Sequence, residues 1–264
     1  MKMDRHHYLL RIQYLGFRYS GWQRQPEQKT VEGMLLKTLR FVLPGREYKI
    51  LGSSRTDSRV SSLDGAFELF LEGQPLEDLS KFMDHFNLNL PPDIRIFKIL
   101  PVQQDFNIIN DASYKEYHYL FAFGAKLHPF CAPLMAGFHG ELDIPLMQKG
   151  ASLFIGTHEF SSYTTRDQKG NQQKRKVILS ELIPNTVFSA SFFPDKSYIF
   201  KIGGHGFIRY QVRMIMGALV SLGSGELSLE QLRYSLVEPE SLELTYIAPG
   251  SGLHLNKLQF KGGK

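Results

Sequence analysis

The chain has 264 residues, 42% of them hydrophobic and 22% charged, enough for one large globular domain or two of moderate size. Polar residues interrupt every apolar stretch well short of the ~20 residues a membrane span needs, and no apolar segment follows Met1-Lys2-Met3-Asp4-Arg5, so neither anchor nor secretory signal is expected. The single cysteine, Cys131, excludes an internal disulfide framework and fits a cytoplasmic home, while a net charge of +5 allows a polyanionic partner without demanding one.

His7 to Tyr14 alternates, with Tyr8, Leu10, Ile12 and Tyr14 on one face, and is expected to be a strand. A polar loop with glycines follows to Gln28. Thr30 is positioned to cap a helix carrying Leu35, Leu36, Leu39 and Val42, stopped by Pro44-Gly45. Strands are expected at Tyr48 to Leu51 and Ala66 to Leu71, a helix at Asp78 to Leu88 and a strand at Ile94 to Leu100. In the second half, Tyr114 to Phe123 reads as a long aromatic strand, and a proline- and glycine-rich loop runs to Gly140. A helix from Ile144 to Ile155 precedes strands near Val177 to Ile183, Thr186 to Phe193 and Tyr198 to Ile202. Helices at Ile208 to Leu222 and Leu229 to Val237 and a strand at Leu253 to Phe260 complete the chain. Strands and helices mix without regular alternation, which points to α+β with mostly antiparallel sheets flanked by helices. Two similar subdomains are expected, 1–105 and 106–264, with the active-site cleft between them.

Phosphate-loop, dinucleotide and nucleophile-elbow signatures are missing, and the nine histidines are scattered, so neither a cofactor nor a metal is expected. Gly203-Gly204-His205-Gly206 reads as a tight strand-to-helix turn with positive φ. In Gly52-Ser53-Ser54-Arg55-Thr56-Asp57, Arg55 can bind phosphate or hold a carboxylate, and Asp57 can be a nucleophile or base. By itself that segment reads first as a surface ion pair in a turn. Arg209 and Arg213 are four apart on an apolar helix and are expected to share a face, where a buried guanidinium would need a carboxylate or an escape to solvent. Tyr117 lies on a face with Tyr119, Phe121 and Phe123; such rings are usually core, but near a base-handling site one can stack on a nucleobase. Arg166 to Lys176 holds five basic residues, Lys174 and Arg175 among them, against one acidic. Either a solvated loop or a phosphate-contacting arm fits it, and Arg18 and Arg24 could extend the same surface.

Seven segments in order resemble the bacterial tRNA pseudouridine synthase A family. Tyr14 to Gln25 is similar to YDGxxYxGWQxQ, and Thr30 to Gly33 to the helix start after it. Arg55-Thr56-Asp57 is similar to the core of GRTDAGVHA, and Leu88 to Ile94 to LNxxLPxDI. Gly156 to Tyr163 resembles GxHDFxxF, Gly206 to Gly217 resembles GxFLxxMVRxxxG, and Ala248 to Leu255 resembles APxxGLxL. The resemblance implies a cytoplasmic, homodimeric isomerase without cofactor, acting on uridines of the tRNA anticodon stem-loop, positions 38 to 40 in tRNA numbering. It makes Asp57 the catalytic nucleophile, Arg213 its charge partner and keeper of its ionised state, and Tyr117 the ring stacked on the target base. Leu253 would pack under that base, and Arg55 would fill the flipped nucleotide's place or hold the backbone. Alternatives are a paralogue acting on another RNA site, a catalytically silent RNA-binding protein, or, remotely, a hydrolase with Asp57 as base. This chain departs from the pattern after Asp57: Ser58-Arg59-Val60-Ser61-Ser62 stands where the family has alanine, glycine, valine, histidine and alanine. Lys115 replaces the arginine usual before the tyrosine, and Arg209-Tyr210-Gln211 a leucine-containing run.

Overall fold

A computed structural model describes residues 4–165, 173–238 and 244–263. Contacts divide the chain into two compact units, one of Met1–Ser113 with Leu255–Lys264 and one of Tyr114–His254. The last strand of the sequence therefore counts mainly with the first unit. Both units are α+β, and their sheets are mostly antiparallel with helices packed on them. Among the described residues no helix is long and apolar enough to cross a membrane.

In the first unit β1 (Arg5–Tyr14) runs antiparallel to β3 (Ser61–Glu72) on one side and to β4 (Ile94–Val102) on the other. β2 (Tyr48–Gly52) also pairs with β3, and β10 (Leu253–Phe260) lies beside β3. The alternation in β1 sorts its side chains as expected. Tyr8, Leu10, Ile12 and Tyr14 pack with Leu35 and Leu39 of α1 (Val31–Val42) and Phe82 and Phe86 of α2 (Leu79–Asn89). Leu9 faces the other way, onto Ala66, Phe106, Ile108, Leu258 and Phe260. Each such large apolar side chain, fully buried, contributes about 2 kcal/mol. Thr30 caps α1 by accepting from the Gly33 N–H at 3.2 Å, and Asp78 caps α2 through Lys81 N–H at 2.9 Å. Pro91 forbids a further helical turn, and Leu90 before it is extended.

In the second unit the sheet order is β5 (Ala112–Gly124), β9 (Tyr198–Gly204), β8 (Lys174–Pro184), β7 (Gly156–Glu159), each antiparallel to its neighbour. β6 (Ala136–His139) pairs parallel to the end of β5, inside the stretch expected to be loop. α3 (Ile144–Ser152), α4 (Gln211–Gly223) and α5 (Leu229–Tyr234) complete the unit. α4 is buried on almost every side.

Three further expectations are corrected. Thr186 to Phe193 forms no strand, because Asn185 turns the chain: its side-chain oxygen accepts from Val187 and Phe188 N–H at 3.1 and 2.9 Å. Phe188, Phe192 and Phe193 then pack as loop residues on Leu120, Ala122, Cys131 and Ile199. Gly203, Gly204 and Gly206 do not have positive φ; space requires the first two, since a Cβ on Gly203 would strike the Tyr114 hydroxyl and one on Gly204 would stand 2.6 Å from the Lys176 carbonyl. The apolar helix begins at Gln211 rather than Ile208, because Tyr210 is left-handed at φ 63°. Arg209 therefore lies before the helix and does not share a helical face with Arg213.

Candidate active site

Asp57 sits in the turn between β2 and β3, and backbone hydrogen bonds shape that turn. Ser53 anchors its start, donating from both N–H and hydroxyl to the Ala66 carbonyl at 3.0 Å. Thr56 is buried, its hydroxyl 2.8 Å from the Tyr14 hydroxyl, and its carbonyl accepts from Trp22 N–H at 3.0 Å. Val60 N–H closes the turn onto the Asp57 carbonyl at 3.2 Å. The loop from Gly16 to Trp22 lies directly against this turn. Any Cβ on Gly16 would collide with the Val60 carbonyl, and Gly21, at φ 103°, would place one 2.7 Å from the Thr56 carbonyl. The far end of that loop packs on the start of α1, whose Val31 and Glu32 N–H groups donate to the Gly21 and Trp22 carbonyls at 3.1 and 3.0 Å. Asp57 is thus half-buried on a short turn held from both sides, between exposed Arg55 and exposed Ser58 and Arg59.

Arg59 is left-handed at φ 65°. A non-glycine residue there costs about 1–2 kcal/mol. Its N–H donates to the Tyr19 carbonyl at 3.1 Å, and its guanidinium lies 5.5 Å from the centre of the half-buried Phe17 ring. At an exposed site that cation–π contact returns about 0.5–1 kcal/mol, less than the strain. Arg18 differs: it pairs with Asp93 at 2.7 Å, and the Tyr19 hydroxyl donates to the same carboxylate at 2.7 Å. Burial and that carboxylate push the Tyr19 hydroxyl well above the ordinary phenol range. Arg24 is exposed and lines a shallow depression with Arg40 and Arg46.

In the second unit, Tyr117 lies on β5 opposite Ile202, half-buried, with its ring edge-to-face on Phe207 at 5.5 Å and 87°. Two residues earlier on the same strand face, Lys115 is half-buried, and desolvation lowers its ammonium to about 8. Arg213 is half-buried on α4, where its Nε donates to the Ala248 carbonyl at 2.7 Å and its guanidinium lies 5.4 Å from the Tyr210 ring centre. Arg209 stands over the same ring at 4.7 Å. Leu253 is buried just after the segment that receives Arg213. That segment also meets β5, since the Tyr119 hydroxyl donates to the Pro249 carbonyl at 2.7 Å. Ala248 to Leu253 therefore ties the strand of Tyr117 to the helix of Arg213. Lys174 is exposed and Arg175 half-buried at the start of β8; residues 166–172 of the basic stretch lie outside the described residues.

Sequence reasoning did not single out Phe207, Trp22 or Tyr210. Phe207 and Trp22 each directly follow a glycine, Gly206 and Gly21, a signal for an aromatic packed on close backbone. Tyr210 carries no such mark, because its left-handed φ is imposed by the turn into α4.

A family model described as tRNA pseudouridine synthase matches residues 151–261. The curated relatives match almost from end to end. The protein named tRNA pseudouridine synthase A of Mesoplasma florum is 34% identical over 259 residues, 96% of this chain and 98% of the relative. The one named tRNA pseudouridine synthase A 1 of Protochlamydia amoebophila is 30% identical over 251 residues, 95% of this chain and 94% of the relative. That of Thermodesulfovibrio yellowstonii, named tRNA pseudouridine synthase A, is 29% identical over 248 residues, 94% of this chain and 96% of the relative. Among solved structures, an unknown protein from Galdieria sulphuraria aligns over 76% of this chain and 82% of its own at 9% identity and a TM-score of 0.23, too loosely to carry an argument.

Proposed function

Because the chain belongs to the tRNA pseudouridine synthase A family, and so is an isomerase of tRNA uridine, we propose that Asp57 is its nucleophile and that its targets lie at positions 38 to 40 of the anticodon stem-loop. The observation that carries the nucleophile is the Asp57 turn itself: a half-buried carboxylate between exposed cations, on backbone braced by a facing glycine loop. Such bracing suits a group that must meet one reacting atom, since small misplacements cost large factors in rate. An aspartate carboxylate held on such a turn can act as the nucleophile of a covalent mechanism.

The reaction is an isomerisation and balances without a co-reactant. The N1–C1′ bond of uridine breaks, a C5–C1′ bond forms, C5 loses its proton and N1 gains one. The Asp57 carboxylate attacks, at C6 of the base or C1′ of the sugar, and is regenerated when the product leaves. Uridine within a stem-loop reaches such a group only after extrusion from the stack, which costs a few kcal/mol. On this reading Arg55 occupies the vacated place or holds the adjacent backbone. Tyr117, its ring fixed by Phe207, stacks on the extruded base, and Leu253 offers the apolar surface beneath it. Arg213 serves as the charge partner of the nucleophile, and Arg18, Arg24, Lys174 and Arg175 add to the field that draws in the phosphate backbone. Arg18, already engaged by Asp93, contributes chiefly by bracing the loop that faces Asp57. The resemblance further supports a homodimer working in the cytoplasm.

Incubation with unmodified tRNA tritiated at uridine C5 tests the reading through tritium release. Wild-type protein is expected to release it from transcripts carrying uridine at positions 38 to 40. Asp57→Ala should lower the rate by more than about a thousandfold, about 4 kcal/mol of barrier. Release that survives Asp57→Ala removes the nucleophile assignment. Absence of release from any tRNA, with binding intact, makes the chain a silent RNA-binding member of the family.

A further inference from the structure

Arg59 combines three properties that the reaction above does not use. It is one of three non-glycine residues with positive φ among the described residues, the others being Glu27 and Tyr210. It stands two residues after Asp57, where the family pattern has glycine. Its exposed guanidinium meets no carboxylate among the described residues, whereas neighbouring Arg18 is held by Asp93 at 2.7 Å. The left-handed turn explains the glycine of the pattern, because only glycine adopts that φ without strain. This chain keeps the bend and gives up the glycine. Folding gains nothing from the exchange: the N–H bond to the Tyr19 carbonyl would form equally with glycine, and the Phe17 contact together with the lower chain entropy of a non-glycine residue no more than offsets the strain. Strained residues retained beside a reactive group point to a function performed there.

We propose that Arg59 binds a backbone phosphate of the substrate RNA next to the extruded uridine, as a positioning and specificity residue this chain has added to the family's site. The guanidinium carries a planar fork of donors suited to phosphate oxygens. The Phe17 ring holds it to one side of the turn, so less side-chain freedom is lost on binding than for an arginine free in solvent. Within two residues of Asp57, the phosphate it reaches is one flanking the reacting nucleotide. This rests on the reading of Asp57 as nucleophile.

The test compares the full-length protein with Arg59→Gly and Arg59→Lys on an unmodified tRNA transcript, measuring tritium release across a salt series together with thermal melting. Arg59→Gly is expected to leave Tm within about two degrees, because the strain it relieves is offset by the lost Phe17 contact and the freedom glycine adds to the unfolded chain. It should raise KM roughly tenfold with kcat changed less than about twofold, and reduce the slope of log affinity against log salt by about 0.7. Arg59→Lys should keep the salt slope and recover part of the KM, with Tm unchanged. An unchanged KM and salt slope in Arg59→Gly overturns the proposal, as does a Tm lower by more than about five degrees, which would make the arginine structural. Failure of the Asp57 reading shows separately, as wild-type release that persists in Asp57→Ala.

Discussion

The two units present their candidate groups by different means. In the first, Asp57 and its neighbours ride on a turn whose shape comes from other loops: Thr56 is held by Tyr14 and Trp22, and Gly16 and Gly21 leave room for the turn's carbonyls. In the second, Tyr117 and Arg213 project from the strand β5 and the helix α4, whose backbones satisfy their own hydrogen bonds. A group on a regular element can be removed with its platform left in place. A group on a braced turn shares its fate with the brace.

Arg213→Ala gives the largest expected effect on this contrast. Loss of the cation should lower kcat roughly a hundredfold, about 3 kcal/mol, with RNA affinity nearly kept and stability down by about 1–2 kcal/mol, because the buried Ala248 carbonyl loses its donor. If binding were abolished and turnover unaffected, the charge-partner role would be wrong. Gly16→Ala should do the opposite kind of damage. Its Cβ meets a backbone carbonyl that cannot step aside, so stability should fall by about 2–3 kcal/mol and activity with it, although Gly16 has no side chain to act in the reaction. Denaturant melting beside tritium release would show it; full activity at wild-type stability would mean that the turn yields more easily than its packing implies.

Acid distinguishes the units further, with the smallest effect. His254 in the second unit is fully buried, its Nε2–H donating to the Leu134 carbonyl at 2.8 Å, and burial lowers its pKa to about 4. The unfolded chain takes up that proton below about pH 6.5, the folded chain only near pH 4, so stability present above 6.5 is lost as pH falls between the two values. Between pH 7 and 5 the loss is about 2 kcal/mol. Glu68 in the first unit has the opposite sign: burial, partly offset by His7, raises its carboxyl, so falling pH favours the folded form there. Hydrogen exchange at pH 5 and 7 should show protection dropping in β9 and β5 more than in β1 and β3. Equal losses in both would remove His254 as the cause.

Much of the fold was legible because local signals agreed with burial. The alternation of Tyr8, Leu10, Ile12 and Tyr14, the Thr30 cap and the strand at Leu253 to Phe260 all stand as read. The Thr186 to Phe193 strand failed where a side chain outbid the ladder: Asn185 satisfied two N–H groups locally, and alternation alone does not register that competition. β6 and β7, four residues each, are too short to show a period.

The candidate site divides in the same way. The sequence by itself determined its chemistry: which residue is a carboxylate, which are arginines, where the aromatic strand runs, and, through the order of seven motifs, which family they belong to. Conformation was decided only in three dimensions. Arg59 and Tyr210 carry side chains that ordinarily avoid positive φ, and their left-handed geometry follows from the loops and turns around them. Arg209 left the helix for the same reason, and Arg18 turned to Asp93, 75 residues away in sequence. Residue type sets what a group can do; the partner that engages it is chosen by packing between segments far apart in the chain, which no local pattern records.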